Sequence, residues 1–331
     1  MKIAFYDTHK YDRDSFDLVN QEYNFQIEYF DFKLTARSAM TAKGYDAVCI
    51  FVNDVLDKEC IKILANCGVK LIVLRCSGFN NVDLDAAANH FVKVVRVPAY
   101  SPETIAEYTV GLLLAITRKI PQSYVRTKSG NFTLEGLCGR NLKGLTAGIV
   151  GTGKIGRQVA HILSGFGMNI LVSDKFPDIY WSNHNNFEYV SSDYLFSNSD
   201  VISLHCPLNS ETKYIINEKS ISQMKKDVVI INTGRGGLIE TKALVYALKN
   251  HLIGGAALDV YEEENRYFFS DWSESVIDDD TLIRLLTFPN VIITSHQAFL
   301  TNEALFQIAK TSLENISKIF KNEVCQNIVV L

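Results

Sequence analysis

The sequence predicts an α/β protein of two open parallel sheets, and three observations carry that prediction. Short runs of β-branched and apolar residues recur along the whole chain, separated by helical stretches. Most of these runs are continuously apolar rather than alternating, as strands covered on both faces must be. The runs also fall into two series, divided near residue 100 by a change of character. At 331 residues there is room for two cores, at roughly 150 residues each.

The first series is KIAFYD (2–7), FQIEYF (25–30), DAVCIFV (46–52), VKLIVLRC (69–76) and VKVVRVP (92–98), with candidate helices such as DKECIKILANCG and DLDAAANH between them. At VPAYSPET a strand ends, and Ser101 with Pro102 reads as an N-cap followed by a proline in the first helical position. The helix that follows, TIAEYTVGLLLAITRKI (104–120), is apolar around most of its circumference and predicts burial on several sides, as a spine between domains or subunits. The second series is TAGIVG (146–151), NILVSD (169–174), FEYVS (187–191), DVISLHCP (200–207), DVVIINTG (227–234), AALDV (256–260) and VIITS (291–295). The last stretch, TNEALFQIAKTSLENISKIF, has apolar residues at 305, 308, 309, 313, 316 and 319, a helical stripe that suits a cover for either domain.

The strand TAGIVG runs straight into GTGKIG, with Gly151, Gly153 and Gly156 in the G-x-G-x-x-G pattern. A helix, GRQVAHILSGFG, opens there, and the next strand ends in Asp174. This context predicts a dinucleotide site: a glycine for the tight turn, one for close approach to pyrophosphate, one for helix–strand packing. Backbone N–H groups at the helix start meet the phosphate charge. Asp174 accepts from the ribose hydroxyls and repels a 2′-phosphate, which favours NAD over NADP; the adjacent Lys175 weakens that slightly.

Three further spots follow strands of the second series. Arg235 lies in the glycine-flanked turn INTGRGGLIE, Asp259 and Glu264 in ALDVYEEE, and His296 in VIITSHQAF. Ligands of open α/β sheets collect beyond the carboxyl ends of the strands. Singly, each residue has a plain structural explanation. Together they offer an anion clamp, a carboxylate to orient an imidazole, and a proton shuttle, the set a 2-hydroxy-acid dehydrogenase needs.

Composition narrows the partners. A net charge of −4 gives no electrostatic reason to expect nucleic acid or an anionic membrane. The start, MKIAFYDTHKYDRD, is too quickly charged for a signal peptide, and the most apolar run, Tyr108 to Thr117, is too short to span a bilayer. Seven scattered cysteines, several inside apolar runs, suit core hydrophobes in a reducing cytoplasm, and no metal site is visible.

The runs GTGKIG…SD, HCPL, NTGRGG, DVYEEE and SHQAF, with RCSGFNNVDLDAA and RVPAYSPETIAEYTVGLLL, resemble the D-isomer-specific 2-hydroxyacid dehydrogenases over essentially the whole chain. HQAFLT and ENRYFFSDW are similar to the bacterial fermentative branch, which interconverts pyruvate and D-lactate. The turn reads TGRG where many relatives have SRG, with Arg235 intact. The resemblance implies a flavodoxin-like catalytic domain (1–100 and 299–331), an inserted NAD-binding Rossmann domain (101–298), and a cleft between them that closes on substrate. It also implies a homodimer or homotetramer built through the cofactor domains.

For the site, the resemblance implies His296 as acid/base, Glu264 as its partner and Arg235 as the clamp on the substrate carboxylate. Lys154, Ile155, Cys206, Pro207, Thr233 and Asp259 join the glycines and Asp174 as cofactor contacts. Ser77 and Gly78 offer backbone N–H groups to the carboxylate. Tyr100, Phe299 and the neighbourhood of Phe51 and Val52 surround the substrate side chain, leaving room for little more than a methyl group. The alternatives are a reductase of phenylpyruvate or branched 2-keto acids and, from another class, an NAD-sensing corepressor-like protein.

Overall fold

A computed structural model describes residues 1–329. The described chain divides into two compact units, one of residues 1–101 with 299–331 (described to 329), the other of residues 102–298. In the first unit β1 (Lys2–Phe5), β2 (Gln26–Tyr29), β3 (Ala47–Ile50), β4 (Leu71–Leu74) and β5 (Lys93–Arg96) form one sheet in the order β2-β1-β3-β4-β5, every pair parallel. That is the flavodoxin-like order. The central strands AVCI and LIVL are buried at every position, while β2, at the edge, alternates between exposed and half-buried. Parallel strands need a cover on both faces. The C-terminal helix Asn302–Phe320 provides one, packing on the helix Lys10–Asn20 and on β4 and β5. Its stripe buries Ile308, Ala309, Leu313, Ile316 and Ile319, and Thr301 caps its start by accepting the Ala304 N–H.

The second unit carries seven strands: β6 (Thr146–Val150), β7 (Asn169–Ser173), β8 (Glu188–Tyr189), β9 (Val201–Leu204), β10 (Val229–Asn232), β11 (Gly255–Leu258) and β12 (Val291–Ile293). Their order is β12-β11-β10-β9-β6-β7-β8, again all parallel. Counted within the unit this is the Rossmann order with one strand added, and the order reverses between β6 and β9. The helix Pro102–Thr117 packs on the helix Lys154–Gly165 and on β10, β11 and β12, burying Ile105, Ala106, Val110, Leu112, Leu113 and Ile116.

One expectation fails. The helix does not continue to Ile120; it stops at Thr117, Lys119 takes a left-handed φ of 55°, and a second helix covers Ile120–Lys128 with Pro121 in its first turn. The cause is steric: Pro121 has no N–H for the Thr117 carbonyl four residues back and its ring clashes with that group, which accepts from the Arg140 N–H instead. The second helix buries none of its residues.

Candidate functional site

The glycine turn sits at the point where the strand order reverses. Gly151 has a φ of +95°, and a Cβ there would lie 2.4 Å from the Cys206 nitrogen at the end of β9. A Cβ on Gly156 would lie 2.0 Å from the Gly151 carbonyl oxygen, so neither position tolerates a side chain. Gly153 is the opposite case, with no atom within 4 Å of its would-be Cβ. It caps the helix that starts at Lys154 and Ile155, so the start of that helix has no side chain beside its cap. A phosphate suits that combination.

Asp174 follows β7. Its Oδ2 accepts the Thr152 N–H at 2.6 Å and the Thr152 hydroxyl at 3.0 Å; its Oδ1 accepts the Phe176 N–H at 2.8 Å. Burial works against its charge, but these donors and Arg157 outweigh it and hold the carboxyl below its usual range. Lys175 beside it turns to Glu211 at 2.6 Å, so its charge is already paired. These residues fit a dinucleotide with free ribose hydroxyls: an open N–H cradle next to a fixed anion. Thr152, which binds both Asp174 and Tyr189, is a supporting residue that sequence reasoning missed; its only signal is its place inside the glycine motif.

Three residues come together past β11 and β12: Asp259, Glu264 and His296. Glu264 presents Oε1 to His296 Nδ1 at 2.9 Å, while its Oε2 accepts the Tyr261 N–H at 3.0 Å. Both side chains of the pair are mostly buried. His296 holds φ 51°, and its N–H donates to the Asp259 carbonyl at 2.7 Å. Asp259 is fully buried. Its carboxylate accepts from the Thr294 hydroxyl at 2.5 Å and from the N–H groups of Gln297 at 3.0 Å and Ala298 at 2.9 Å. Burial nonetheless pushes the Asp259 carboxyl upward. Its observed partners therefore belong to the turn that carries His296.

Arg235 is half-buried in the turn after β10. One guanidinium N–H reaches the Gly234 carbonyl at 2.7 Å. The turn is built by the buried Asn232, whose amide donates to the Arg235 carbonyl at 2.9 Å and accepts the Gly234 N–H at 3.0 Å. Gly236 lies against Tyr261, where a Cβ would come within 2.1 Å of the carbonyl. Thr233 is buried and bonds Thr109 at 2.8 Å, while Cys206 lies against Gly151 after β9, with Pro207 next to it in sequence. Asn232 too was missed, although an asparagine ending an apolar strand is a turn signal.

The remaining candidates lie in the first unit. Ser77 and Gly78 follow β4; the Ser77 carbonyl accepts from Arg96 at 2.8 Å, and no backbone carbonyl among the described residues takes the N–H of either. Phe299 is buried and gathers an aromatic cluster: Phe51 at 5.6 Å, Tyr100 at 6.5 Å and Tyr11 at 6.5 Å between ring centroids. Val52 is half-buried beside it in sequence. Tyr11, on the first helix, had no sequence signal to join it to this group.

Residues 110–298 match the model of the D-isomer specific 2-hydroxyacid dehydrogenase, NAD binding domain. A D-lactate dehydrogenase of Escherichia coli (strain K12) is 50% identical over 330 residues, covering all of both chains. The chain belongs to the D-isomer specific 2-hydroxyacid dehydrogenases. As a member of that family it is an NAD-dependent oxidoreductase. Among solved dehydrogenases, the apo-structure of D-lactate dehydrogenase from Escherichia coli superposes with a TM-score of 0.91 at 48% identity, over 100% of each chain. The pyruvate reductase of Chlamydomonas reinhardtii gives 0.93 at 41%, over 99% of this chain and 98% of that one. A D-2-hydroxyisocaproate dehydrogenase gives 0.87 at 28%, over 99% of each. Among the described residues, no helix of this dehydrogenase is long and apolar enough to cross a membrane, and no group of three or more histidine, cysteine or acidic residues could hold a metal ion.

Proposed function

We propose that this dehydrogenase is an NAD-dependent D-lactate dehydrogenase, interconverting pyruvate and D-lactate. The observation that carries the reading is the His296–Glu264 pair, 2.9 Å apart, on the same sheet end as the glycine turn and Arg235. NADH, when bound, supplies a hydride to the keto carbon. His296, protonated, gives its proton to the carbonyl oxygen and becomes neutral, so one hydride and one proton make the alcohol. Glu264 orients the ring through Nδ1 and leaves Nε2 to carry the proton that is transferred. Arg235 pairs with the substrate carboxylate and steadies negative charge growing on the carbonyl oxygen. The N–H groups of Ser77 and Gly78 add contacts to the same carboxylate.

In this reading Gly151, Gly153, Gly156, Lys154 and Ile155 hold the pyrophosphate, Asp174 the ribose hydroxyls, and Cys206, Pro207 and Thr233 the adjoining walls. Asp259 acts from beneath, by fixing the turn of His296. Phe51, Tyr100 and Phe299 border the substrate methyl; the Phe51 and Tyr100 rings lie 5.6 Å and 6.5 Å from that of Phe299. Larger 2-keto acids are the less favoured substrates: a D-lactate dehydrogenase is 50% identical to this chain, whereas the hydroxyisocaproate enzyme is 28% identical. A purely NAD-sensing role leaves the acid/base pair without a use.

The protein is a homodimer or homotetramer in this reading, joined through the NAD-binding unit. Ile120, Tyr124, Val125, Phe132 and Leu134 are all more than half exposed on one segment of that unit, an apolar face that a second copy would cover. All seven cysteines are free thiols, which suits the cytoplasm. The test is steady-state kinetics on a panel of 2-keto acids with NADH and NADPH, with chiral analysis of the product. R-lactate from pyruvate and NADH is the expected result. An S product, or a preference for phenylpyruvate, would overturn the assignment.

A further inference from the structure

Phe51 is held with unusual completeness. It follows β3, where a loop residue would ordinarily leave its backbone to water. Its N–H instead donates to Asp54 Oδ2 at 2.6 Å, and its carbonyl accepts from Asn81 Nδ2 at 2.8 Å. The other Asp54 oxygen accepts the Leu34 N–H at 2.6 Å, and the same Asn81 amide reaches the Asp54 carbonyl at 2.9 Å. Asp54 is fully buried and Asn81 half-buried. Two side chains thus tie three loops together at one residue.

The ring is held as well. The Arg75 guanidinium lies 4.8 Å from the Phe51 ring centroid and 4.5 Å from that of Phe5. It is fixed by Asp12 at 3.3 Å and by the Asp7 carbonyl at 2.6 Å. Only 1% of Arg75 is exposed. Burying an ion pair is costly, and apolar residues of like volume often serve stability as well or better. What the pair supplies instead is a stiff plane between two aromatic rings. Phe51 in turn packs on Phe299, at 5.6 Å.

We infer that Asp54, Asn81 and Arg75 are positioning residues that hold Phe51 against Phe299 and so set the size of substrate the enzyme accepts. The inference rests on the reading that Phe51 borders the substrate side chain. A wall that can retreat admits an extra methylene; a clamped wall rejects it. One methylene is worth about 10–200-fold in such a pocket, which sets the range the clamp controls.

The test compares kcat/KM for pyruvate and 2-ketobutyrate in the full-length enzyme. Asn81→Ala and Arg75→Met should each lower the pyruvate to 2-ketobutyrate ratio by about tenfold. The change should come mostly from a lower KM for 2-ketobutyrate, with NADH affinity unchanged. In a Phe51→Ala background, where the ratio has already fallen, Asn81→Ala should add no further shift. A merely structural Asn81 would lower the melting temperature and leave the ratio alone. Should Arg75→Met fail to fold, Asn81→Ala decides, because it removes a half-buried amide and no charge. The inference is overturned by a wild-type ratio in folded Asn81→Ala, by an equal shift in the Phe51→Ala background, or by a Phe51→Ala enzyme that keeps the wild-type ratio. A wild type that favours a larger 2-keto acid would overturn the pyruvate assignment alone; the favoured acid and its next homologue then test the clamp.

Discussion

Asp259 and His296 are joined by backbone and side chain together: the His296 N–H donates to the Asp259 carbonyl at 2.7 Å, and the Asp259 carboxylate takes the N–H groups of the next two residues. A left-handed φ at a non-glycine residue is strained and persists only where its surroundings over-determine it. Asp259 supplies that determination. Asp259→Ala strips three hydrogen bonds from the turn, and the buried Ala298 N–H left without a partner costs about 1–3 kcal/mol. We expect a clear fall in melting temperature and a lower kcat at every pH. A variant with normal stability and kcat would separate Asp259 from the His296 turn.

His296→Gln tests the proton donor. The cofactor cradle of Gly151, Gly153 and Asp174 shares no hydrogen bond with His296, so NADH binding should persist. Turnover should fall by about 10²–10⁴, the usual worth of a positioned general acid. Glu264→Gln keeps a hydrogen-bond partner for the ring but removes the carboxylate that fixes it, so turnover should also fall. Values of kcat and KM for pyruvate in the wild type and both variants decide both points; a Glu264→Gln enzyme with wild-type turnover would dissolve the pair.

How much of this could be read from the sequence follows from the range of each interaction. Among the described residues, eleven of the twelve strands lie within the runs read from the sequence and β11 starts one residue earlier, at Gly255; central strands such as β3 and β4 are buried on both faces and so apolar throughout, and that signal is local. The break at Lys119 was also local: Pro121 announces it, and the apolar character of the residues before it hid the signal. Glu264 and His296 both follow strands of one parallel sheet, so their neighbourhood was open to a topological argument. The partners of Asp259, 35 to 39 residues away, were not. Nor was the clamp on Phe51, whose members Leu34, Asp54, Arg75 and Asn81 look in sequence like ordinary loop and strand-end residues. Long-range polar contacts leave no periodicity to detect.

Asp174 should control the choice of cofactor. The neighbouring Lys175 is taken up by Glu211, so no free cation competes for a 2′-phosphate at that position. Asp174→Ala removes the acceptor for ribose hydroxyls and the repulsion against phosphate, and it frees the Thr152 N–H. The preference for NADH over NADPH should shrink by about 1–3 kcal/mol. Competition between the two cofactors, measured as a ratio of kcat/KM, gives the answer, and an unchanged ratio would move the ribose elsewhere.

His205 gives a prediction about stability and pH. It lies between β9 and Cys206, under the glycine turn, where a Cβ on Gly156 would meet its Cβ at 3.4 Å. Its Nε2 pairs with the Ser203 hydroxyl at 2.8 Å, and burial pulls its pKa down to about 4. In the unfolded chain the ring titrates near its ordinary value of about 6.5. Between these two values the unfolded state binds a proton that the folded state refuses, so stability falls as pH drops from about 6.5 towards 4. The residue is only half-buried by area. We therefore discount the full effect to about 1–2 kcal/mol. Asp54 acts in the opposite sense: burial pushes its carboxyl up to about 7, so its folded form keeps a proton that the unfolded form loses, and stability falls as pH rises from about 4 to 7. Only the difference between two proteins isolates the histidine. The urea midpoint at pH 7 minus that at pH 5 should be more positive for the wild type than for His205→Asn, which keeps a polar partner for Ser203 but carries no titrating ring. Equal differences in the two proteins would mean that His205 takes up its proton as readily in the folded state as in the unfolded one.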